Sequence, residues 1–141
     1  MRPERVYLNR AMEPYRGVII EESLENTDIL KNVKILSTEV EDVTDGHKTP
    51  WLSRWTLHTV EVPEREAEEV AQMLSEDLET EHVWYADFKN DMHHYIIFRN
   101  KVFFVNRSSK EQYDEVVRHG TSLGIPDYQL DFSPAVVQWE R

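Results

Sequence analysis

The sequence predicts an α+β fold: an antiparallel or mixed sheet with two main helices. Three observations point there. Short runs rich in β-branched and aromatic residues recur along the chain, beginning near Tyr15, Lys34, Trp55, Val83, Tyr95 and Val102. Helical periodicity is strong only after Pro63 and after Ser108. Glycine and proline are scarce and fall between these segments, where turns are needed. At 141 residues the chain has the size of a single domain able to bury its own core.

The first 15 residues lack periodicity and are expected to lie as an N-terminal arm. Tyr15-Arg16-Gly17-Val18-Ile19-Ile20-Glu21 reads as a first strand. Asn26-Thr27-Asp28 supplies capping side chains ahead of Ile29, Leu30 and Val33, which predicts a short helix. Lys34 to Val43 and Trp55 to Val62 read as paired strands, separated by a loop that contains Asp45-Gly46. The helix opened by Pro63 carries Ala67, Val70, Ala71, Leu74 and Leu78 on one stripe, with Glu64 and Glu66 in its first turn. Val83–Phe88, Tyr95–Arg99 and Val102–Val105 predict a meander whose last two strands are apolar on both faces, as strands covered on both sides are. A final helix is expected from a capping box at Ser108 and Glu111, through Tyr113, Val116 and Val117, to a terminator at Gly120. Residues from about 126 to 141 read as a partly extended tail. The order is β-α-β-β-α-β followed by β-β-α. Its first six elements match a ferredoxin-like arrangement, with helices on one face.

Composition narrows the function. There is no cysteine, which excludes disulfides, a thiol nucleophile and thiolate metal sites. The net charge is −11, from 16 basic against 27 acidic residues, and opposes binding to a phosphate backbone. Two stretches run against that charge: Arg2 to Arg16, and Arg99 to Lys110, where Arg99, Lys101, Arg107 and Lys110 meet no acid. Both read as solvated surface. No apolar run approaches the ~20 residues that span a bilayer, and the charged N-terminus does not resemble a signal peptide. A cytoplasmic protein with no nucleic-acid or membrane partner is expected.

The four glycines are too scattered for a phosphate-binding loop, no serine sits in a nucleophile elbow, and no histidine pair has the spacing of a zinc helix. No cofactor and no metal is predicted. One cluster survives: between Trp84 and His94 lie Tyr85, Asp87, Lys89, Asp91, His93 and His94. On a strand, Tyr85, Asp87 and Lys89 share a face toward solvent or a cleft, opposite the core-like Trp84, Ala86 and Phe88. A carboxylate beside an imidazole orients a general base, and two carboxylates with two imidazoles are the less favoured alternative, a divalent-metal site. The plainer reading is a polar hairpin tip in water, with ordinary histidines. His58 shares an apolar strand face with Val60 and Val62, as a hydrogen-bonded core or edge histidine does. Trp51 and Trp55 form either an aromatic rim for a ligand or anchors for their loop.

Tyr15-Arg16-Gly17-Val18-Ile19, Thr49-Pro50-Trp51-Leu52, Trp84-Tyr85-Ala86-Asp87-Phe88-Lys89-Asn90, His94-Tyr95-Ile96-Ile97-Phe98 and Gly124-Ile125-Pro126 together resemble small prokaryotic proteins of unknown function. That resemblance implies no activity and assigns no residue. Two functions are expected from the residues themselves. The leading one is a non-catalytic binding or regulatory module for a protein partner or a small ligand. The other is a small hydrolase or nuclease using Asp87 with His93 or His94, helped by Lys89 or His58.

Overall fold

A computed structural model describes residues 13–132. Among them the chain forms β1 (Tyr15–Ile20), β2 (Lys34–Asp42), β3 (Arg54–Val62), α1 (Glu64–Asp77), β4 (Tyr85–Lys89), β5 (His93–Phe98), β6 (Lys101–Asn106) and α2 (Lys110–Ser122). The strands make one sheet in the order β2-β3-β1-β4-β5-β6, and every neighbouring pair is antiparallel. The α+β class and the two main helices are as the sequence predicts.

The sheet is covered on both faces, because β5 is apolar at both parities. Tyr95 and Ile97 join Tyr15, Ile19, Val60, Val62 and Phe88 against α1, which buries Ala67, Val70, Ala71 and Leu74. Ile96 and Phe98 join Val105 on the other face, against Tyr113 and Val116 of α2 and against Ile125, Leu130 and Phe132. The helices therefore lie on opposite faces, not on one. A helix has a single apolar stripe and covers one face only, so a doubly apolar strand needs two covers.

Three local expectations change. The helix expected after Asn26 is a single 3-10 turn, Thr27–Lys31, begun by the Asn26 side chain accepting from the Asp28 N–H. The ferredoxin-like reading thus lacks its first α-helix, and the sheet runs two strands beyond β4. Ser109, not Ser108, caps α2 by accepting from the Gln112 N–H at 3.2 Å. Gly120 does not terminate α2; it is buried within it, and a Cβ there would lie 2.6 Å from Leu130. The stop is Gly124, at φ +92, with the Ile125 N–H returning to the Gly120 carbonyl and the Gly124 N–H to Thr121.

Part of the expected tail is packed, since Asp127–Gln129 is a 3-10 turn and Leu130 and Phe132 are buried. Residues 1–12 of the arm and 133–141 of the tail lie outside the described residues. None of the described helices is long and apolar enough to cross a membrane.

Candidate functional site

The described residues do not cover the α2 face of the sheet everywhere. Beside α2, over β1, β3 and β4, lies a cleft of about 630 Å³. Val18, Ile20 and Leu57 line it from the strands, along with Trp55 at the start of β3, and Tyr85 and Asp87 from β4. The loop before β3, the loop before β4 and the segment after α2 complete the walls.

Each wall is fixed by local hydrogen bonding. In the first, the Thr44 N–H donates to Nδ1 of His47 at 3.0 Å, which leaves Nε2–H to donate to Glu41 at 3.1 Å. The His47 ring meets Trp55 edge-on at 4.4 Å, and the Trp55 Nε1–H donates to Thr49 at 2.9 Å. In the second, the Glu79 carboxylate accepts from the Glu81 and His82 N–H groups, from His82 Nδ1 at 2.6 Å and from Trp84 Nε1 at 3.0 Å. Burial on its own would push the Glu79 carboxyl up, but these donors together hold it below its ordinary value.

Trp51 bridges the two walls by stacking on His82, with centroids 3.5 Å apart and planes 10° from parallel. It is 45% exposed. Trp84 lies 5.7 Å from Trp55 and 6.4 Å from Trp51. The third wall crosses over: the Tyr128 hydroxyl donates to the Gly46 carbonyl at 2.7 Å, and the Tyr85 hydroxyl donates to the carbonyl of Gln129.

Asp87 lines the end of the cleft, and behind it stands a buried relay. His94 Nε2 lies 2.7 Å from the Asp87 carboxylate, and His94 Nδ1 lies 3.1 Å from the Tyr113 hydroxyl. Asp87, His94 and Tyr113 are 4%, 2% and 3% exposed. Burial pushes the His94 imidazole below its ordinary value, and the Asp87 hydrogen bond only partly opposes it. Burial likewise raises the Tyr113 phenol. A neutral His94 then donates from Nε2 to Asp87 and accepts from Tyr113 at Nδ1, which occupies both ring nitrogens.

The sequence-predicted residues therefore scatter. Asp87 and His94 meet, but in the interior and not at a solvated hairpin tip. The tip is Asp91 and Met92, both exposed, where the Asn90 side chain accepts from the Met92 and His93 N–H groups. His93 stacks on Phe104 at 4.5 Å, on the opposite parity to His94. Lys89 is the direct cross-strand neighbour of His94. His58 lies on the α1 face, held by Glu21 at Nε2 and by Thr38 at Nδ1, both at 2.8 Å. Trp51 and Trp55 both line the cleft. Among the described residues no group of three or more His, Asp or Glu side chains is placed to hold a metal ion.

Sequence reasoning passed over His47, Glu79 and His82, and assigned Trp84 to the core alone. The signal was the crowding of Trp51, Trp55, His82 and Trp84 around two loops, which periodicity does not register. Comparisons with protein-family models, with curated proteins and with solved structures give no match for this chain.

Proposed function

We propose that this domain is a non-catalytic binding module whose cleft takes a small ligand with a flat, largely apolar ring. The observation that carries the reading is the aromatic frame of Trp51, Trp55 and Trp84 over the floor of Val18, Ile20 and Leu57. Ligand sites are typically clefts of this size, apolar with a few placed polar groups. Trp51, pinned by His82 on one face and 45% exposed, offers a stacking surface.

The hydrolase or nuclease reading has less support. Catalysis needs a base that reaches substrate, and both nitrogens of His94 are already engaged. His93 and His58 do not converge on Asp87, and among the described residues no serine lines the cleft. The cations of residues 99–110 also favour a domain that does not bind nucleic acid. Arg99 donates to the Glu76 and Leu78 carbonyls, Arg107 to the Asn90 carbonyl, and Lys110 pairs with Asp114. A cytoplasmic setting belongs to the same proposal.

The test uses 8-anilinonaphthalene-1-sulfonate as a planar fluorescent probe of the native protein. Saturable binding at one site is expected. Trp51→Ala should weaken it about tenfold, the loss of one stacking contact worth ~1.4 kcal/mol. Absence of binding, or binding indifferent to both Trp51→Ala and Leu57→Asp, would count against the cleft.

A further inference from the structure

The two loop walls of the cleft are built alike, each as a carboxylate behind an imidazole behind an indole. In one, His47 Nε2–H donates to Glu41 at 3.1 Å, and the His47 ring meets Trp55 at 4.4 Å. In the other, His82 Nδ1 donates to Glu79 at 2.6 Å, and the His82 ring stacks on Trp51 at 3.5 Å. The same Glu79 oxygen accepts from Trp84 Nε1 at 3.0 Å, so one carboxylate serves two aromatic side chains of the lining. Hydrogen bonds to a carboxylate are charge-assisted and polarise the donor ring. An indole already presents a negative face to a cation. For Trp84 the bond to Glu79 deepens that face directly; behind Trp51 and Trp55 the carboxylate charge lies one ring away.

The charges around the frame lean the same way. Glu41 and Asp87 line the cleft, and among the described lining residues Lys48 is the one lysine or arginine. Lys48 is exposed and Glu41 half-exposed, so water and salt screen both; Glu79, at 17%, is screened less. The whole chain carries −11, and a cleft with low-dielectric walls focuses such a field. We propose that the ring this cleft takes is positively charged: a planar aromatic cation, such as a protonated or N-alkylated nitrogen heterocycle, held among Trp51, Trp55 and Trp84. The inference rests on the cleft reading above and adds the sign of the ligand. A neutral ring gains stacking alone, whereas a cationic ring also gains attraction to the indole faces and to Glu79 behind them. Delocalised cations are more weakly hydrated than a compact ammonium, so a charged ring leaves water for the apolar floor at lower cost than a lysine-like head would.

Isothermal titration calorimetry of the native protein with quinoline and with N-methylquinolinium tests this, in a mildly alkaline buffer where quinoline is uncharged. The two probes share a flat two-ring frame and differ in a fixed positive charge. N-methylquinolinium is expected to bind one site about tenfold more tightly, the size of one partly desolvated cation–π contact. Added salt should weaken N-methylquinolinium, leave quinoline unchanged, and strengthen the anionic 8-anilinonaphthalene-1-sulfonate by screening the same field. Glu79→Gln and Glu41→Gln should each narrow the gap between the two quinolines. The readout is a ratio of affinities, so a substitution that only loosens a wall, and weakens both rings, does not imitate the result. Quinoline binding as tightly as N-methylquinolinium, or a gap unmoved by salt and by both substitutions, would overturn the charge assignment and leave the cleft standing. So would failure of both quinolines while 8-anilinonaphthalene-1-sulfonate binds. Failure of all three probes would remove the cleft reading, and this inference with it.

Discussion

His94 Nε2 meets the Asp87 carboxylate at 2.7 Å, although the residue directly across from His94 in the strand pair is Lys89. The contact is a diagonal one between β5 and β4, roofed by Tyr113 of α2 and by Phe132. Removing Asp87 strands a buried imidazole N–H. Asp87→Ala is therefore expected to cost about 1–3 kcal/mol, the usual penalty for an unsatisfied buried group. Urea melts read this directly. A loss of about half a kcal/mol or less, as a solvated surface residue gives, would mean the pair is open to water.

The same pair sets a pH dependence. Folding lowers the His94 pKa, chiefly by burial, so between the folded value and ~6.5 the unfolded chain binds the extra proton. Stability rises with pH wherever the unfolded state binds more protons. This contribution is complete above ~6.5 and is lost as pH falls through that value toward the folded one. NMR titration should place the His94 imidazole below ~6.5, and lower still in Asp87→Asn, where the carboxylate no longer favours the cation. A His94 value at or above ~6.5 would refute the burial argument.

Gly17 holds β1 against β4 at Asp87. A Cβ on Gly17 would stand 1.9 Å from the Asp87 carbonyl oxygen and 2.6 Å from the Phe88 Cα, both backbone atoms that cannot swing aside. Gly17→Ala should cost on the order of 1–3 kcal/mol or more, as overpacking does. It should also shift the His94 resonances by displacing Asp87. Gly46→Ala, whose Cβ meets only Thr44 Oγ1 at 3.6 Å, serves as the tolerated control. Equal stability of the two variants would show that the β1–β4 contact yields.

Much of the fold was legible because it rests on period. Ala67, Val70, Ala71 and Leu74 declared α1 by their spacing, and all are buried. The double apolar parity of Tyr95 to Phe98 announced a strand covered twice. What periodicity does not carry is which element covers which face, so α1 and α2 were expected on one side. The site was legible in its residue types and not in its partners. The alternation of Tyr85, Asp87 and Lys89 put them on one face, but Tyr113 reaches His94 from 19 residues away by the packing of α2. Burial of Asp87 depends on that roof, which no local pattern in residues 84–94 encodes. Nor does local pattern join Trp51 to His82, which meet because two irregular loops are each pinned by their own side chains.

The crossing of the cleft by Tyr128 joins segments 82 residues apart through one hydroxyl-to-carbonyl bond, with weaker 3.4 Å contacts from Gln129 beside it. The same segment is tied to β4 by the Tyr85 hydroxyl, which donates to the Gln129 carbonyl, and is flanked by the buried Ile125 and Leu130. Surface segments tied by side-chain bonds open more readily than core strands and helices. Lifting residues 126–129 requires both ties to break while the sheet and both helices stay intact. A guest would then pass through a rare open form, and its rates of arrival and departure would follow the strap's opening equilibrium. Loosening Tyr128 would quicken both rates together.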